Sequence, residues 1–148
     1  MAKNLYYLDS CIWLNLFKKE GNPAKGIPYW KIAEDFINKV IFSKDKKIIY
    51  SGFVLKEIQF SLKNDELFKC RLDFIKGEEK FKRANVTRED YFFARKLESQ
   101  SNFSISFYDC IHTSLCRRLN FVLVTRDNDL IKFAKNHIAV FKPENLLP

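Results

Sequence analysis

Residues 121–125, FVLVT, are an apolar run broken by no charge and followed at once by the polar turn RDND. A strand with one wet face alternates apolar and polar positions. A run without alternation is the signature of a strand covered on both faces, the usual state in a parallel sheet. Parallel neighbours need long crossovers, normally helices, so this one segment predicts strands and helices in alternation. The rest of the chain supplies them. Leu5 to Leu8 read as a short buried strand, Ser10 to Lys19 as the helix after it, and Gly21, Pro23, Gly26 and Pro28 as a loop. From Pro28 the spacing of Ala33, Phe36, Ile37, Val40 and Ile41 is helical, and IIYS at 48–51 is a second strand. Helices are predicted from Gly52 through Leu62, over 65–75, and over 87–99, where Thr87 and Asp90 give a capping-box start. Ser106 to Asn120 is a helix with Ile111, Leu115 and Leu119 on one face; after FVLVT come a short helix to Asn136 and a last strand, IAVF. The predicted class is α/β, a central parallel sheet flanked by helices, in a single domain over residues 1–148.

No apolar stretch reaches the roughly 20 residues of a membrane span. The N-terminal run is interrupted by Asp9, preceded by a single lysine, and followed by no small-residue cleavage site, so it is not read as a signal peptide and the chain is predicted to be cytoplasmic. Cys11, Cys70, Cys110 and Cys116 form no CxxC pair and no zinc spacing; all four are expected to be reduced and mostly buried. The 15 phenylalanines fall mostly at core-periodic positions and are expected to be core rather than a base-stacking platform. Against 18 acidic residues stand 26 basic ones, a net charge of +8 that is scattered rather than blocked. A surplus of this size favours a polyanionic partner contacted by the folded surface.

Against that basic background the embedded acids are conspicuous. Asp9 is the only charge in NLYYLDSCIWLNLF, residues 4–17. A buried unpaired carboxylate is costly enough that it normally neutralises or is replaced. It is either a helix cap at a strand-to-helix joint or half of a site whose counter-charge is not in the sequence. Other acids recur at equivalent places: Glu57 on the helix after the second strand, Asp127 and Asp129 in the turn after FVLVT, and Asp109 in the first turn of the preceding helix. Open parallel sheets build their sites in the crevice beyond the carboxyl ends of the strands. Carboxylates converging there repel one another unless a hard divalent cation sits among them; oxygen ligands suit Mg²⁺ or Mn²⁺, which activates water and clamps phosphate.

YYLDSCIWLNLF, GFVLKEI, FYDCIHTSL and VLVTRDNDL resemble, in order and spacing, the four acidic motifs of PIN-domain ribonucleases, most closely the VapC-type toxins of toxin–antitoxin pairs. The resemblance covers nearly the whole chain and implies a PIN-like three-layer sandwich. It implies Asp9, Glu57, Asp109 and Asp127 as catalytic, metal-binding acids, Asp129 as an accessory metal position, and Ser10 and Thr125 as supporting hydroxyls. Cys110 and Leu130 stand where the family more often has Ala and Phe. The implied function is metal-dependent endoribonuclease activity with Mg²⁺ or Mn²⁺, an RNA substrate, a cognate antitoxin, a homodimer and no membrane association. The alternatives are a PIN-type nuclease of RNA maturation and a catalytically silent RNA-binding module. A phosphotransfer receiver is disfavoured because strand one ends in a single Asp.

Taken one at a time, the acids have plainer readings. Ser106-x-x-Asp109 has capping-box spacing, Glu57 suits a surface helix face, and Asp127 and Asp129 suit a turn. His112, alone on its helix face, is expected to be a satisfied structural residue. The first helix (Ile12, Trp13, Leu16, Phe17) with the helix from Trp30 offers an apolar groove for an antitoxin segment, or else packs into the core.

Overall fold

In the computed structural model, which describes residues 4–148, the central strand is β1 (Leu5–Leu8). It pairs in parallel with β2 (Lys47–Tyr50) on one side and β4 (Val122–Val124) on the other. β3 (Phe81–Arg83) extends the sheet beyond β2 and β5 (Val140–Phe141) beyond β4, giving the order β3-β2-β1-β4-β5 with every pair parallel. The sheet therefore runs outward from β1 in both directions, and the switch point lies between β1 and β4. Phe121 through Thr125 are all buried, as the unbroken run requires.

Helices α1 (Ser10–Phe17) and α2 (Tyr29–Ile41) join β1 to β2, and α3 (Gly52–Leu62) and α4 (Asp65–Gly77) join β2 to β3. The chain then returns through α5 (Arg88–Gln100) and α6 (Phe107–Leu119) to β4, and α7 (Asn128–Ala134) leads to β5. Right-handed crossovers put α1–α4 on one face and α5–α7 on the other, because the direction of strand addition reverses after β3. Neighbouring residues of β1 point to the two layers. Tyr6 meets Phe36 of α2 edge-on at 5.3 Å, and Tyr7 meets His112 of α6. Thr87 opens α5 with a complete capping box to Asp90, and Asn120 closes α6 in the left-handed region at φ 59°, a conformation asparagine tolerates better than most residues.

The predicted elements are present, with differences at their margins. α1 stops at Phe17 because Lys19 turns to φ 52°, and the last strand is confined to Val140–Phe141. β3 is an edge strand of three residues whose Lys82 and Arg83 are exposed; charge on an edge hides the apolar signal by which a strand is recognised. Leu119, the last residue of α6, is not buried with Ile111 and Leu115. All four cysteines are free, but only Cys110 and Cys116 are buried; Cys11 is half-buried and Cys70 lies exposed on α4. Phenylalanine is less of a core residue than its spacing suggests: Phe42, Phe60, Phe74, Phe92, Phe103 and Phe141 are exposed. Of the two readings of α1, packing into the core holds for three of its four named residues, while Leu16 is half-buried. Ile12 and Trp13 are wholly buried and Phe17 nearly so, with Trp13 against Phe81 and Phe17 against Phe74. No helix among the described residues is long and apolar enough to cross a membrane.

Candidate functional site

Asp9 follows β1 at the switch point and serves as N-cap of α1. Its backbone N–H continues the ladder to the Val124 carbonyl at 2.9 Å, which fixes the residue between the two strands. Its Oδ1 accepts the Ser10 N–H at 2.8 Å and its Oδ2 accepts the Thr125 hydroxyl at 2.8 Å. The cap reading of Asp9 therefore holds, and the carboxylate is almost wholly buried; among the described residues the cationic group within ion-pair distance of it is His112, at 3.8 Å. The Ser10 hydroxyl lies 3.5 Å from the same Oδ1. Thr125 also accepts the Asp127 N–H at 3.2 Å, tying the turn after β4 to Asp9.

Glu57 reaches the crevice from α3 and Asp109 from the first turn of α6. Asp109 does not complete a capping box. The Ser106 hydroxyl accepts the Asp109 N–H at 3.2 Å, but no return bond from the Asp109 carboxylate is present among the described residues, unlike the reciprocal pair of Thr87 and Asp90. Its carboxylate belongs to the crevice instead. One ligand atom from each of Asp9, Glu57, Asp109 and His112 lies within 4.8 Å of the others. Asp127 and Asp129 stand outside that cluster, and both are exposed. Asp127 caps α7, its Oδ1 accepting the N–H groups of Asp129 and Leu130, while Asp129 lines a separate cleft with Lys132 and Asn136.

His112 is wholly buried and satisfied, as expected, but its partners place it in the site. Nε2 is 2.6 Å from Glu57 Oε1 and Nδ1 is 2.7 Å from the Tyr7 hydroxyl, which is 2.7 Å from Ser51 Oγ. A buried relay therefore runs Ser51–Tyr7–His112–Glu57 from the N-cap of α3 back to its own acid. Neither Tyr7 nor Ser51 was singled out by the sequence. The available signal was a tyrosine, which must satisfy a hydroxyl, in the middle of the innermost strand.

The electrostatics follow from crowding. Burial, then the Asp9 charge, with Glu57 and Asp127 adding to it and His112 opposing, push the Asp109 carboxyl up to about 7. Burial disfavours the charged form of His112, but the Glu57 hydrogen bond and the Asp9, Glu57 and Asp109 charges outweigh it and raise its pKa. Burial and the Asp9 carboxylate hold Cys11 far above its ordinary range, so it stays a thiol, neither nucleophile nor thiolate ligand. Both nitrogens of His112 are committed, so the donors left for an ion are carboxylate oxygens. That hard oxygen set, in mutual repulsion, fits Mg²⁺ or Mn²⁺ and does not fit a soft metal.

Comparison with known proteins agrees with this geometry. The family model of the PIN domain matches residues 6–136. No curated protein matches the chain. Among solved structures, VapBC2 from Rickettsia felis bound to a DNA fragment from its promoter aligns at TM-score 0.68 and 19% identity, over 93% of this chain and 98% of that one. VapC20 of Mycobacterium tuberculosis, a toxin that cleaves the sarcin–ricin loop, aligns at 0.66 and 17% identity, over 86% and 93%. A toxin–antitoxin complex from Klebsiella pneumoniae aligns at 0.66 and 14% identity, over 93% and 97%. At these identities the likeness is one of fold.

Proposed function

Since the chain belongs to the PIN-domain family, we propose that it is a metal-dependent endoribonuclease acting as the toxin of a toxin–antitoxin pair. The observation that carries this reading is the convergence of Asp9, Glu57 and Asp109 from three elements at the carboxyl ends of a parallel sheet, crowded until one of them holds its proton near neutrality. These three would hold a Mg²⁺ or Mn²⁺ ion, with Asp127 contributing from the rim and Asp129 at most through water. When bound, such an ion lowers the pKa of a coordinated water and neutralises charge on the phosphate. The protein's own part is positional. Thr125 and the Ser10 N–H fix the Asp9 oxygens, and His112, braced by Tyr7, fixes Glu57. Lys and Arg of a surface carrying a net +8 neutralise the flanking RNA backbone.

The purified protein is expected to cut RNA with Mg²⁺ or Mn²⁺ and to lose all activity in excess EDTA; undiminished cleavage in EDTA contradicts the metal. Asp9→Asn is expected to abolish cleavage without unfolding the chain, since it keeps the shape and removes one repelling charge. The toxin reading is supported by the kind of neighbours the fold has, two of which are complexes with an antitoxin or with DNA. An antitoxin would cover the crevice and offer a basic residue to its acids, a guanidinium being able to pair with them bidentately. Wild type should slow growth when expressed alone and be tolerated with its genomic neighbour, while Asp9→Asn is harmless. Equal tolerance of both favours the RNA-maturation reading.

A further inference from the structure

Beside the acid cluster lies a cleft of about 740 Å³ whose lining includes Ser10, Lys56, Glu57, Gln59, Phe60 and Tyr108. Glu57 is shared by the cleft and the cluster, and Ser10 donates its N–H to Asp9, so the two are continuous. Phe60 follows Lys56 by four residues and Glu57 by three on α3, which sets all three on one side of the helix. Phe60 is 82% exposed. Tyr108, which lines the same cleft from α6, is half-buried and held by Phe53 edge-on at 4.9 Å, and Phe53 is itself braced by Tyr91 at 5.9 Å. One aromatic side chain of the cleft is therefore packed and the other exposed. Lys56 also lines a second cleft with Arg83, Phe53 and Tyr91. Among the described residues neither Lys56 nor Arg83 has a carboxylate within ion-pair distance.

We infer that this cleft is a nucleobase subsite. A base of single-stranded RNA next to the cleaved phosphate stacks between Phe60 and Tyr108, and Lys56 takes the following phosphate and hands the strand on towards Arg83. The inference rests on the nuclease reading above and names what that reading leaves open, where the strand lies and which way it leaves. A base has two apolar faces and a polar edge; the cleft has aromatic walls and, in the Gln59 amide, a donor and an acceptor. Unpaired cations flanking aromatic faces are the combination that binds single strands, with stacking supplying the base and the cations the backbone.

The test uses the Asp9→Asn protein, expected to hold RNA without cutting it, and fluorescence anisotropy with short single-stranded RNA. Adding Phe60→Ala is expected to weaken binding about tenfold, and Phe60→Trp to restore it. On an oligonucleotide with abasic sites the Phe60 variants should bind alike, while Lys56→Gln should weaken binding to both oligonucleotides and lessen its salt dependence. Phe42→Ala, an equally exposed phenylalanine at the end of α2, serves as the control and should change nothing. Equal RNA affinity with and without Phe60→Ala, and normal cleavage by the Phe60→Ala enzyme that keeps Asp9, overturn the subsite and leave the nuclease reading standing. A change of oligomeric state on Phe60→Ala with RNA affinity unchanged also overturns it, assigning the cleft to a second copy. Wild type that neither binds nor cuts RNA with Mg²⁺ or Mn²⁺ removes the nuclease reading and the subsite together.

Discussion

Asp109 is the residue on which burial and, after it, the neighbouring Asp9 charge act together. Its carboxyl titrates near 3.8 in an unstructured chain and about 7 in the folded one, so folding tightens its hold on a proton. A group of this kind lets stability fall as pH rises from about 4 to 7, because the folded chain alone keeps the proton through that window. The ion-free protein is therefore expected to melt at lower temperature at pH 8 than at pH 5, and Mn²⁺ should restore the loss by binding the folded state alone. Asp109→Asn should stabilise the ion-free protein at pH 8 by on the order of 1 kcal/mol or more and flatten that pH dependence; thermal unfolding in EDTA across pH measures both. The acids were legible in the sequence because a lone charge in an apolar run needs an explanation, and Asp9, Glu57 and Asp109 share one crevice as their motifs imply. Asp127 and Asp129 were harder to rank, because a turn aspartate has conformational reasons to exist whatever else it does. His112 was underread for a different cause: its meaning lies in Tyr7, 105 residues away, and no local spacing records that contact.

At the scale of elements, the relay through Ser51, Tyr7 and His112 couples β1, the start of α3 and α6. Tyr7→Phe removes a hydroxyl that both partners use and leaves buried groups unsatisfied, a cost of about 1–3 kcal/mol. It should cut activity less than Glu57→Gln does, since His112 keeps its bond to Glu57; denaturant melts alongside initial rates separate the two effects. The inner strands β1, β2 and β4 are legible because burial on both faces demands hydrophobic runs, and the edge strand β5 is legible from its apolar IAVF although Phe141 is exposed. β3 is not legible because an exposed edge permits Lys82 and Arg83, and α1 leaves groove and core open as alternatives because helical spacing says which residues share a face without saying what covers it. Trp13 and Phe17 are covered by α4 and β3.

For the whole molecule the opposition of an acidic crevice and a +8 surface has a direct consequence for binding. Affinity of the Asp9→Asn protein for single-stranded RNA should fall roughly tenfold or more between about 50 and 200 mM salt, as released counterions cease to favour the complex; a salt titration of the anisotropy measures it, and a flat line speaks against backbone contacts. The sheet order carries a consequence of another kind. Asp9 is made early and its fixing partners, Val124 and Thr125, are made late, because the central strand must wait for β4 to arrive from more than 110 residues downstream. A chain still emerging from the ribosome has β1, α1 and α3 but no crevice. If the molecule cuts RNA, it is born harmless to the machine that makes it, and its first competent moment comes only after β4 has left the exit tunnel and docked against β1.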